Sequence, residues 1–166
     1  MTLGALDDDQ AWALLRALDD PERLARPLDY DHVATRARFD RLAARLDADL
    51  GCDCAVDRED GDASRHGTIV VPAAALGETA RVTLTVSNFG DLVVASVGPP
   101  DERGGAAPAR VAPEDLGRIA AVLDELGYTV VPEDVVRSTY DGASRLTERY
   151  TVEDAPTWWI RFFDYP

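Results

Sequence analysis

The stretch Arg81–Gly98, RVTLTVSNFGDLVVASVG, decides how the chain folds. In its first half Val82, Leu84 and Val86 alternate with Arg81, Thr83, Thr85 and Ser87, which predicts a half-buried strand with one wet face. Asn88-Phe89-Gly90-Asp91 supplies a turn in which Gly90 can take positive φ, and LVVASVG returns as the partner strand. Upstream, HGTIVVPA (66–73) is a β-branched run closed by Pro72. CDCAVDRE (52–59) alternates weakly before the turn cluster EDGDAS (59–64). Four strand-like runs with no helix between them predict a four-stranded antiparallel β-meander.

Helical patterns flank this block. LDDDQAWALLRALDD (6–20) carries Ala11, Leu14, Leu15 and Leu18 at helical spacing, with one of Asp7 to Asp9 as N-cap and Pro21 at its end. From Asp31 to Leu50 the residues Phe39, Leu42, Ala43, Leu46 and Leu50 form an apolar stripe. Arg36, Arg38, Arg41 and Arg45 lie mostly off it, and Gly51 is the stop. PEDLGRIAAVLDELG (113–127) starts on Pro113, stops on Gly127 and buries Leu116, Ile119, Ala120, Leu123 and Leu126. A short strand, YTVV (128–131), follows. The class expected is therefore α+β: a meander packed on one face by two amphipathic helices, with an N-terminal helix and an aromatic C-terminal closing segment. One domain over residues 1–166 is expected, with a flexible loop near 98–112, GPPDERGGAAPARVAP in 98–113.

The closing segment TWWIRFFDYP (157–166) is apolar on both faces as a strand, and as a helix it pairs Trp158 with Phe162 and Trp159 with Phe163. Periodicity leaves both forms open. It also leaves open whether Trp158 and Trp159 are core or part of a partner surface.

Charge narrows the partners. Asp and Glu number 31 against 17 basic residues, every one of them Arg, for a net charge of −14. That surplus serves solubility first; it also disfavours nucleic acid and anionic membrane and can steer a basic protein toward the surface. No apolar run approaches the ~18 residues that cross a bilayer. MTLGALDDDQ places aspartates where a signal peptide carries positive charge, so a cytoplasmic location is expected. Two thiols, Cys52 and Cys54, fit a reducing compartment.

Motifs that carry chemistry are sparse. Cys52, Cys54 and His66 form the one grouping of soft-metal character, short of a fourth ligand unless Asp53 or Asp62 supplies it; otherwise the thiols pack beneath the second helix. His32 and His66 are the two histidines, and neither stands in a nucleophile–base frame. No nucleophile elbow, zinc-protease box or phosphate loop is present, so no catalytic residue and no cofactor are assigned. The loop from Asp57 has its glycine, Gly61, one position early for an EF-hand and Thr68 at the twelfth place. The loop reads first as a solvated hairpin turn; Asp57, Glu59, Asp60 and Asp62, with Asp101 and Glu102 from the long loop, are the candidates for an acidic recognition surface. The function expected is a small acidic protein-binding module, such as an immunity protein neutralising a basic bacterial toxin or a secretion-chaperone-like escort. The alternative is a small enzyme or a metal- or ligand-binding domain built on Cys52, Cys54 and His66.

Overall fold

The computed structural model describes residues 3–58, 64–77, 79–100 and 110–165. Its helices and strands follow in the order α1 (Asp8–Leu18), α2 (His32–Leu50), β1 (Ala55–Arg58), β2 (Arg65–Val71), β3 (Arg81–Ser87), β4 (Leu92–Gly98), α3 (Pro113–Glu125), β5 (Thr129–Val130) and α4 (Glu133–Val136). A π-helical turn, Ile160–Asp164, closes the chain.

The α+β class is observed, with two differences in the sheet. It has five strands in the order β1-β2-β3-β4-β5. The first four pair antiparallel in sequence order, and β5 adds in parallel to β4 through Leu92↔Thr129 and Val93↔Val130. The parallel pairing follows from the intervening helix: α3 crosses over the sheet and returns the chain in the direction of β4. The hairpin turn is closed by Leu92 N–H donating to Phe89 O at 3.1 Å. Gly90 and Asp91 hold φ of 51° and 62° there, the positive pair that primed turns require. Gly90 is needed for space as well, because a Cβ there would run into the Leu18 side chain.

The second difference concerns the face expected to be wet. Val82, Leu84 and Val86 point to α2 and α3, where Phe39, Leu42, Leu46, Ile119 and Leu123 complete an aliphatic core. Thr85 and Ser87, on the opposite face of β3, are buried too. α1, α4 and the closing segment cover that face, where Trp158, Phe162 and Phe163 cluster with Phe89 of the hairpin turn and Tyr140 beyond α4. Small hydroxyl side chains tolerate this burial when bonded, and Ser87 Oγ donates to Phe162 O at 2.6 Å.

The closing segment is helical. Trp158 stacks on Phe162 at 6.0 Å between centroids and Trp159 on Phe163 at 4.9 Å, the i,i+4 pairs of the helical reading. Between them Arg161 is fully buried. Its Nε donates to Asp19 Oδ1 at 2.7 Å, and its terminal nitrogens donate to the carbonyls of Leu24, Asp20 and Arg23. Asp19 Oδ2 accepts from the Tyr140 hydroxyl at 2.5 Å and from Ala143 N at 2.9 Å. This network ties the end of α1 to the end of the chain.

Candidate functional site

Three places gather polar or reactive groups. The first lies where α2 leads into β1. Gly51, in the left-handed region at φ 61°, ends α2 and turns Cys52 and Cys54 back beneath it. Their sulfurs stand 3.8 Å apart, both half-buried against the aliphatic core. Asp47, in the last turn of α2, accepts from Cys54 N at 2.7 Å, and one ligand atom from each of Asp47, Cys52 and Cys54 lies within 4.8 Å of the others. Burial raises both thiols above the ordinary range, and for Cys54 the hydrogen bond with Asp47 adds to it.

His66 does not join this group, contrary to the expected Cys52–Cys54–His66 cluster. The β1–β2 register sets Ala55 opposite Val70 and Arg58 opposite Gly67. His66 therefore lies four residues along β2 from the position opposite Ala55, roughly 13 Å at ~3.3 Å per residue, with the cysteines on the other side of Ala55. Asp47 takes the place that sequence spacing assigned to the histidine. A signal for it existed: a helix ending at Gly51 brings its last turn over the next two residues.

The second place is around His66 itself. Its ring is buried, edge-on to Phe39 at 5.2 Å, with Nδ1 at 3.1 Å from Asn88 Oδ1 and 3.4 Å from the Tyr30 hydroxyl. The Asn88 oxygen places the proton on Nδ1, so the Tyr30 hydroxyl is left to donate to His32 Nδ1 at 3.2 Å. Burial lowers the His66 pKa to about 4, against the Asn88 hydrogen bond, which works to raise it. A neutral imidazole results at ordinary pH. Among the described residues the hydrogen-bond partners of its ring are Tyr30 and Asn88, neither a thiol nor a carboxylate, so an acid–base pair is not assembled here.

The third place is an apolar groove of about 780 Å³ beside β5. β5 covers β4 only as far as Leu92 and Val93, with Val131 N donating to Val93 O just beyond. Past that point, among the described residues, no strand pairs with the outer edge of β4 at Ala95–Gly98. Leu3, Leu6, Val97 and Val130 line the groove, and Asp7, Asp8, Glu133 and Asp134 rim it. Asp7 caps α1, and Glu133 contacts Arg137 at 3.5 Å. Asp8 and Asp134 are exposed.

Of the remaining predicted residues, the structure describes Asp57, Trp158 and Trp159. Asp57 is exposed on the edge strand β1. Glu59, Asp60, Asp62, Asp101 and Glu102 lie outside the described residues. Trp158 is removed from the partner-surface candidates, because its indole is 0% exposed, packed between Tyr140 and Phe162. Trp159 is half-buried, with the Arg137 guanidinium 4.2 Å from its ring centroid. The rim carboxylates of the groove escaped the sequence reading because each reads as an ordinary helix-start acid; only the fold brings two helix starts to one sheet edge. No family model, no curated protein and no solved structure matches this chain.

Proposed function

We propose that the protein is a binding module for a basic partner protein, in the manner of an immunity protein or a secretion escort, and that the partner's contact segment is an extended strand. The observation that carries this reading is the groove beside β5: a stretch of sheet edge that no strand among the described residues pairs with, an apolar floor and a rim of carboxylates. An added strand would gain main-chain hydrogen bonds from Ala95–Gly98, seat alternate apolar side chains on Val97, Leu3 and Val130, and set Lys or Arg against Asp8 and Asp134. The net charge of −14 supports the same partner sign by drawing a basic protein in during encounter.

The test is calorimetry and stopped-flow association with the purified products of neighbouring genes. The expected result is binding by a basic product whose association rate falls at least about tenfold between 0.05 and 0.5 M salt, as screening shortens the Debye length. Asp8→Asn with Asp134→Asn should slow it further at low salt. Binding that ignores both salt and this double variant would remove the groove from the reading. Absence of binding by any basic neighbour at low salt would remove the reading itself.

A further inference from the structure

We propose that Asp47, Cys52 and Cys54 form a binding site for a thiophilic divalent cation, zinc being the best fit, with the fourth position left to solvent. The first argument is the bite of the two sulfurs. Two Zn–S bonds of ~2.3 Å at a tetrahedral angle hold their sulfurs ~3.8 Å apart. The Cys52 and Cys54 sulfurs already stand at 3.8 Å, with the carboxylate of Asp47 inside the same 4.8 Å sphere.

Charge and access agree with the bite. Asp53 is exposed between the two cysteines, so a second carboxylate adds to the negative field without occupying the site. Both cysteines are half-buried, which leaves an entry path while the aliphatic core shields the thiolates on their inner side. The scaffold is also prepared. Cys52 N donates to Asp47 O at 3.1 Å and Cys54 N to Asp47 Oδ1 at 2.7 Å, so the loop is fixed before any ion arrives. Thiolate pairs select zinc over magnesium or calcium, and the mixed sulfur–oxygen set with one open position suits a four-coordinate ion. On binding, each thiol forms one metal–sulfur bond and releases its proton to solvent, so two protons leave per ion. The ion would lock the end of α2 to the start of β1, and it is independent of the groove on the far edge of the sheet.

The test is titration of the reduced protein with cobalt(II) at pH 8, followed by displacement with zinc. The expected result is saturation at one equivalent with thiolate-to-cobalt charge-transfer bands in the near ultraviolet and tetrahedral d–d bands in the visible. Cobalt binding should release two protons per ion in a weakly buffered solution, and zinc should then erase the bands with no further proton release. Cys52→Ser and Cys54→Ser should each lose the paired-thiolate spectrum, and Asp47→Asn, which keeps an oxygen for Cys54 N, should weaken cobalt at least about tenfold. The site is overturned if cobalt gives no charge-transfer band with the wild-type protein. It is equally overturned if the bands survive in Cys54→Ser, or if they saturate at half an equivalent, which marks four cysteines shared between two chains.

Discussion

The two faces of the sheet are held by different physics. On one, α2 and α3 press Leu42, Leu46, Ile119 and Leu123 onto Ile69, Val82 and Leu84, a contact with no geometry finer than shape and volume. On the other, the aromatic rings of Phe89, Trp158, Phe162 and Phe163 surround an ion pair whose partners, Arg161 and Asp19, are 142 residues apart in the chain. The Arg161 guanidinium also lies 4.8 Å from the ring centroids of both Phe89 and Phe162. Nonspecific packing degrades by degrees as atoms are removed. A buried charge network is complete or it is expensive, because one missing partner leaves a charge without solvent.

The largest effect should come from breaking that network. Asp19→Ala takes the carboxylate from Arg161 and the acceptor from Tyr140 and Ala143 at once. A loss of about 3–5 kcal/mol is expected in urea unfolding. Arg161→Lys should also be poorly tolerated, since an ammonium cannot serve Asp19 and three carbonyls with a planar fork. If Asp19→Ala lost less than about 1 kcal/mol, the aromatic face would be packed by volume like the other and the contrast would fail.

Leu46→Ala probes the aliphatic face. Its side chain is fully buried, so roughly 3 kcal/mol should be lost through transfer and cavity terms. Leu46→Met, which keeps the volume, should lose less than about 1.5 kcal/mol. Tolerance of Met at position 46 beside intolerance of Lys at position 161 is the result that separates the two faces, read from equilibrium unfolding of both variants.

The same contrast explains what could be read from the chain. Strand alternation in Val82, Leu84 and Val86 and the stripe Phe39–Leu42–Leu46 are local signals of an aliphatic face, and the helices and hairpin lie where those signals put them. The other face is built from contacts between distant segments. Nothing near Thr85 or Ser87 announces that residues 158–163 will cover them. Nor does anything around Asp19 mark it as the partner of Arg161. β5 escaped as a sheet member because two residues carry no period, and its place is set by the α3 crossover. At the candidate site, the cysteine pair was visible as a motif. Its third member was misassigned to His66 because register along β1 and β2, not sequence distance, decides which residues meet.

His66 sits at the join of the two faces, touching Phe39 on one side and Asn88, at the start of the hairpin turn, on the other. Its folded pKa of about 4 is below the ordinary 6.5, so the unfolded chain binds the extra proton between those values. Stability from keeping His66 neutral is then whole above pH 6.5 and is lost as pH falls toward 4, up to roughly 3 kcal/mol. Arg36 and His32 oppose the protonated ring and Asp40 favours it, so their sum is already part of that balance. Urea midpoints of the wild type and His66→Gln, measured from pH 7.5 to 4.5, should diverge in slope, the wild type losing more on acidification. Parallel curves would show that the ring is solvated and that the join is looser than its burial implies.

The smallest effect discriminates most finely, because each face owns one capped N-terminal helix. Asp31 accepts from Ala34 N at 3.0 Å at the start of α2, and Asp7 accepts from Gln10 N at 2.8 Å while Gln10 Oε1 accepts from Asp7 N at 3.3 Å in a capping box on α1. Replacing either by Ala should remove about 1 kcal/mol of helix stability. α2 buries Phe39, Leu42, Ala43 and Leu46 in the aliphatic core, so its cap is coupled to global unfolding and Asp31→Ala should lower the urea midpoint. α1 buries Ala11 and Leu15 and is pinned at its other end by Asp19, so its first turn can open while the network stays closed. Asp7→Ala should therefore leave the midpoint nearly unchanged and speed amide exchange in the first turn of α1 about fivefold, the factor that 1 kcal/mol represents. Equal midpoint shifts from the two substitutions would mean that both faces melt as one cooperative unit, and a difference in bonding would then carry no difference in how the molecule comes apart.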